Sequence, residues 1–110
     1  MFYKANASGY HAAMPGITLK TLAHGAKTLL AEFRLAAGSL LPRHSHPHEQ
    51  TGYLVSGRIR LTIGETTHEA GPGDGWSIPG DTEHSAEVLE DTVAVEVFAP
   101  VREDYLRLNE

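Results

Sequence analysis

Three histidines at fixed spacing carry most of the chemistry this chain can do. His44 and His46 stand two residues apart in the run Leu40-Leu41-Pro42-Arg43-His44-Ser45-His46-Pro47-His48-Glu49-Gln50. On an extended strand that spacing turns both imidazoles to one face. Two neighbouring imidazoles form a chelate for a divalent cation, because each neutral ring offers one nitrogen lone pair at a fixed reach from the backbone. Downstream, the glycine turn Pro72-Gly73-Asp74-Gly75 opens the segment that delivers His84. The chain has no cysteine, so a metal must be held by nitrogen and oxygen. A fourth ligand falls to Glu49 or Gln50, and strand alternation lets only one of these neighbours face the metal. A carboxylate is the commoner ligand for hard cations. One ion of nickel, zinc, manganese or iron suits such a site, and the donor set does not choose among them. His11, His24 and His68 lack this context and are expected to be ordinary surface or hydrogen-bonded residues. His48 follows Pro47, which breaks regular pairing, and is expected on a loop at the rim of the pocket.

A second cluster lies near the C-terminus. Thr92-Val93-Ala94-Val95-Glu96-Val97-Phe98-Ala99 is apolar on both faces except for Glu96, which shares a face with Ala94 and Phe98. Burying a carboxylate is costly unless it is paired or bound to a metal. Glu96 is therefore either half of a structural ion pair, an exposed edge residue, or a general acid/base beside the metal. In the last case Phe98 shapes the pocket and Arg102 grips a substrate carboxylate with its bidentate fork.

The elements that must position these residues are strands. Leu29, Ala31, Phe33 and Leu35 alternate with Leu30, Glu32, Arg34 and Ala36, and Ile59, Leu61 and Ile63 alternate with Arg58, Arg60 and Thr62. Strands are expected over 27–36, 50–56, 58–64, 75–79 and 92–99, with an earlier one through Ile17 to Thr21 and a hairpin return over Thr66 to Ala70. Gly57 reads as a turn between two of them, and Trp76, at a strand start, reads as core packing before sugar stacking. Arg102 to Leu108 is the one short helical candidate. Many short strands joined by Gly and Pro turns make an all-β sandwich or closed barrel. At 110 residues this is one domain over 1–110, with a tail at 102–110. Barrel edges favour pairing with a second copy, so a homodimer is expected, with residues 1–6 a candidate exchange strand or a cover for its own barrel. The net charge of −5 argues against a nucleic-acid partner. There is no membrane-length apolar run and no signal-peptide pattern at Met1-Phe2-Tyr3-Lys4, so a soluble cytoplasmic protein is expected.

With these residues in place, two segments resemble a known family. Gly38-x5-His44-x-His46-x3-Gln50-x6-Gly57 resembles the first motif of the cupins and Gly73-x5-Pro79-x4-His84 the second, with residues 58 to 72 between them. The resemblance implies a double-stranded β-helix, or jelly-roll barrel, and favours Gln50 over Glu49 because three residues separate Gln50 from His46. Cupins usually place a glutamate there. A neutral amide leaves the charge of the metal uncompensated, which makes a stronger Lewis acid and a better anchor for a small anionic substrate.

A narrower resemblance runs through His44 to Gln50, Gly73-Asp74-Gly75-Trp76 and Phe98-Ala99-Pro100-Val101-Arg102-Glu103-Asp104-Tyr105. Together they resemble the small KdgF-type cupins of pectin and alginate degradation, which convert 4,5-unsaturated monouronates into linear keto forms. What this implies is a metal on His44, His46, Gln50 and His84, an acid at Glu96, an aromatic at Phe98 and an arginine at Arg102. Relatives carry aspartate where this chain has Glu96. Two other classes stay in view: a non-haem metal-dependent dioxygenase, which needs no placed acid, and a cupin that binds or senses a small ligand without turnover.

Overall fold

The computed structural model describes residues 1–108. Eight strands precede one short helix: β1 (His11–Met14), β2 (Ile17–His24), β3 (Leu29–Leu35), β4 (Leu40–His44), β5 (Glu49–Ile63), β6 (Thr66–Ala70), β7 (Gly75–Ile78), β8 (His84–Ala99) and α1 (Glu103–Arg107). The all-β expectation holds, and the tail is helical in its described part; residues 109 and 110 lie outside the described residues.

Two long strands organise the molecule. β5 and β8 pair antiparallel from Glu49 opposite Ala99 to Ile63 opposite His84. The first part of β5 also pairs with β7, and the last part of β8 pairs with β3, which continues to β2 and β1. The second part of β5 pairs with β6, and the first part of β8 with β4. One continuous ladder is thus folded into two halves. Ile17, Leu35, Leu54 and Ala94 of the first half and Ile59, Leu61, Ala86 and Val88 of the second share a single buried cluster.

The structure corrects the expected division at Gly57. Residues 50–56 and 58–64 are one strand, and Gly57 is a bulge inside it, with register shifts on either side and φ +98°. The bulge has a consequence for which residues face inward. Gln50 and Leu54 are buried on the first part of β5, and Ile59 and Leu61 on the second, an odd step apart. Without an extra residue the alternation would turn one of these sets to solvent. The expected strand over 92–99 likewise begins earlier, at His84, with His84, Ala86 and Val88 buried in alternation.

At the N-terminus, residues 1–6 form no strand. Met1 and Phe2 are fully exposed rather than laid over the barrel, and Tyr3 donates its hydroxyl hydrogen to the His24 carbonyl at 3.2 Å. Among the described residues, no helix is long and apolar enough to cross a membrane.

Candidate metal centre

His44 ends β4 and lies opposite His84, the first residue of β8. His46 is not on the strand, as its spacing had suggested, but in the loop just beyond it. That loop is tied to the turn before β8 by a hydrogen bond from the Asp81 N–H to the His46 carbonyl at 2.7 Å. One nitrogen from each of His44, His46 and His84 lies within 4.8 Å of the other two.

The ring orientations are fixed by the backbone. Nδ1 of His44, His46 and His84 stands 2.7, 3.0 and 2.9 Å from the carbonyl oxygens of Pro42, His48 and Thr82. A carbonyl can only accept, so each Nδ1 carries the hydrogen and each neutral ring keeps its lone pair on Nε2. His84 is 1% exposed, and among the described residues its Nε2 has no hydrogen-bond partner. Burial lowers the pKa of His46 and of His84, with the Arg102 charge adding to the effect on both, so both rings are held in the neutral, metal-binding form.

Gln50 joins this group and Glu49 does not. Glu49 is exposed and Gln50 buried, as strand alternation requires. The Gln50 amide nitrogen donates to Glu96 Oε1 at 2.6 Å, which turns its carbonyl oxygen to within 2.9 Å of His46 Nε2. In the neutral state two lone-pair atoms then face each other, an arrangement that a shared cation satisfies. The donor set is thus compatible with a divalent ion.

Glu96 is 9% exposed and lies on the inner face of β8. Its Oε1 accepts from the Gln50 amide and from the Trp76 indole N–H at 2.8 Å, and among the described residues no donor meets Oε2. Burial raises its pKa, against the pull of the Trp76 and Gln50 hydrogen bonds and the Arg102 charge. Glu96, Gln50, His84 and Trp76 line a cavity of about 50 Å³ whose other walls are apolar, Leu61 and Ala94 among them.

Phe98 is 1% exposed and links the histidines to the C-terminal tail. Its ring centre lies 5.9 Å from that of His46 and 5.0 Å from the Arg102 guanidinium. The Arg102 fork, expected to be free for substrate, is instead partly engaged: Nε and Nη2 donate to Asp104 at 3.0 and 2.7 Å. The guanidinium also lies 4.1 Å over the Tyr105 ring. Burial pushes the Tyr105 hydroxyl up to about 12. His11, His24 and His68 lie outside the cluster, as expected. The His48 carbonyl orients His46, a role for its backbone rather than its ring.

Sequence reasoning missed the roles of Asp104, Tyr105 and the Trp76 N–H. A signal for the last was present: Gly52, a glycine inside a strand, lies directly opposite Trp76.

Comparison with known proteins agrees with this fold. The structure of KdgF from Halomonas sp. superposes with a TM-score of 0.88 at 28% identity, covering 94% of this chain and 98% of that one. An RmlC-like cupin from Shewanella frigidimarina gives 0.85 at 20% identity, over 90% of this chain and 89% of that one. The polyketide cyclase RemF from Streptomyces resistomycificus gives 0.75 at 24% identity, over 91% and 80%. No curated protein matches. Residues 31–100, which hold every proposed metal ligand and Glu96, match the cupin domain family, and it is to the cupins that this chain belongs.

Proposed function

We propose that this cupin is a metal-dependent enzyme that opens a small 4,5-unsaturated uronate to its linear keto form. The observation that carries the reading is the 2.6 Å hydrogen bond from Gln50 to Glu96, which joins a buried acid to the histidine cluster. A dioxygenase would need no such acid, so the inward position of Glu96 favours the proton-transfer reading. The likeness to KdgF at 28% identity points to the same substrate class.

His44, His46, His84 and Gln50 would hold one divalent ion, which supplies Lewis-acid stabilisation of charge on a substrate oxygen. None of these ligands is anionic, and with Arg102 nearby the site is locally positive in a chain of net charge −5. The Nη1 end of Arg102 binds the substrate carboxylate, and Phe98 packs beneath it. The cavity of about 50 Å³ beside Glu96 and His84 is too small for a whole sugar ring, so only the reacting edge would reach Glu96. Glu96, whose pKa burial raises, would deliver a proton to C4 of the enol ether and take one back from the C1 hydroxyl. The C1–O5 bond breaks, C1 and C5 become carbonyl carbons, and no atom is gained or lost.

The test is the ultraviolet absorbance of a 4,5-unsaturated galacturonate, which falls as the double bond is lost. The metal-loaded protein should accelerate that fall over buffer. Glu96→Gln should keep fold and metal yet lose about a hundredfold or more of the activity, and Arg102→Ala should chiefly raise KM. No acceleration by the metal-loaded wild type removes this reading in favour of a dioxygenase or a ligand-binding cupin.

A further inference from the structure

The buried acid is held in one orientation by a residue from outside the histidine cluster. Trp76 is half-buried on β7, directly across from Gly52 of β5, and its indole lies in the space where any other residue at 52 would place a Cβ. From there Nε1–H reaches Glu96 Oε1 at 2.8 Å. The same oxygen takes the Gln50 amide at 2.6 Å. Two donors converge on one carboxyl oxygen, and among the described residues no donor meets the other.

The indole is also a wall. Trp76 and Leu61 line the internal cavity on one side and, on the other, a surface groove of about 410 Å³ bounded by Ile63, His68, Asp74 and Ser77. Removing the ring would join the two spaces and admit water beside Glu96. A leucine or phenylalanine could close the wall, but only an indole closes it and donates a hydrogen bond inward.

We propose that Trp76, seated in the gap left by Gly52, is the positioning residue of Glu96: with Gln50 it pins Oε1 and so aims Oε2 at the reacting edge of the substrate. The proposal rests on the proton-transfer reading for its consequence in catalysis, but its geometry can be tested without turnover. This pinning is what brings the Glu96 side chain to one defined place.

Two measurements decide it. Trp76 is the single tryptophan of the chain, so one indole N–H signal appears in the nitrogen–proton NMR spectrum of the zinc-loaded protein. That signal should be protected from solvent exchange in the wild type, and Glu96→Ala should shift it and abolish the protection. An indole N–H that exchanges at the rate of a free one in the wild type overturns the proposal, whether or not the protein is an enzyme. In the absorbance assay, Trp76→Phe should retain metal content and the melting transition. It should lower kcat by about tenfold to a hundredfold, the cost of misplacing a catalytic group by up to an ångström, with KM nearly unchanged. An unchanged kcat in Trp76→Phe, beside an active wild type, is the opposing result.

Discussion

His84 shows at the scale of one residue how a site can be built to leave an atom unsatisfied. Its Nδ1–H is spent on the Thr82 carbonyl while its Nε2 is buried without a partner among the described residues. An unpartnered buried polar atom costs about 1–3 kcal/mol, and a bound cation removes that cost. A His46→Ala, His84→Ala double variant should therefore lose its metal by elemental analysis while keeping the β-rich circular dichroism of the wild type; undiminished metal would mean that the ion is held elsewhere. The same burial has a pH signature. His46 and His84 both titrate below their ordinary value of 6.5. In the metal-free protein the unfolded chain then binds more protons than the folded one as pH drops beneath that value. In a Glu96→Gln background, which removes the opposing effect of that acid's raised pKa, the melting temperature of the metal-free protein should hold above pH 6.5 and fall on acidification below it, and a transition that is flat through this window would contradict the assignment.

Among the elements, β5 makes the site because it changes face part-way along. Gly57 at φ +98° supplies the bulge, and Thr92 closes around it by accepting from the Arg58 N–H at 3.1 Å. A methyl group at residue 57 would meet Thr92 Oγ1 and the Asp91 carbonyl well inside contact distance. Gly57→Ala should cost about 1–3 kcal/mol of stability, read from denaturant unfolding, from backbone strain before any clash is counted. The histidines should be affected less than the core, since His44 and His84 are joined through β4 rather than through the bulge. The glycine itself was legible in the sequence, but as a turn. A glycine at positive φ serves a hairpin and a bulge equally well, and only the pairing of β5 with β8 along its whole length separates the two.

The whole molecule leaves an apolar strip along β5 and β8 on the outer face of its first half, beside Glu32 and Arg34 of β3. Tyr53 and Val55 of β5 are 51% and 48% exposed, and half-buried Val95 of β8 lies across from Tyr53, with Val93 and Val97 on the same face. A sheet face of this kind is commonly covered by another chain. We expect a homodimer through it, with a mass by light scattering near twice the 11.9 kDa of one chain. Val95→Arg should shift the protein to the monomer, and a wild-type particle of one chain's mass at working concentrations would count against the interface.

Alternation along each strand depends only on the pleat, so the inward residues could be read from the sequence: Glu96 with Phe98, the apolar faces of β3 and of the second part of β5, and one only of Glu49 and Gln50, between which the spacing of the cupin motif chose Gln50. The donor types were legible for the same reason, because no folding can turn an amide into a carboxylate or supply a thiolate to a chain without cysteine. What the sequence left open were contacts set by register between distant strands. Gln50 and Glu96 lie 46 positions apart and Trp76 and Glu96 lie 20 apart. They meet because β7 and β8 flank β5 on opposite sides, with Gly52 paired to Trp76 on one side and to Glu96 on the other. The Arg102 fork was misjudged for a related reason. Asp104 is two residues away in sequence, but it claims the guanidinium only because the chain, leaving β8, turns at once into α1 and brings the two side chains to the same side.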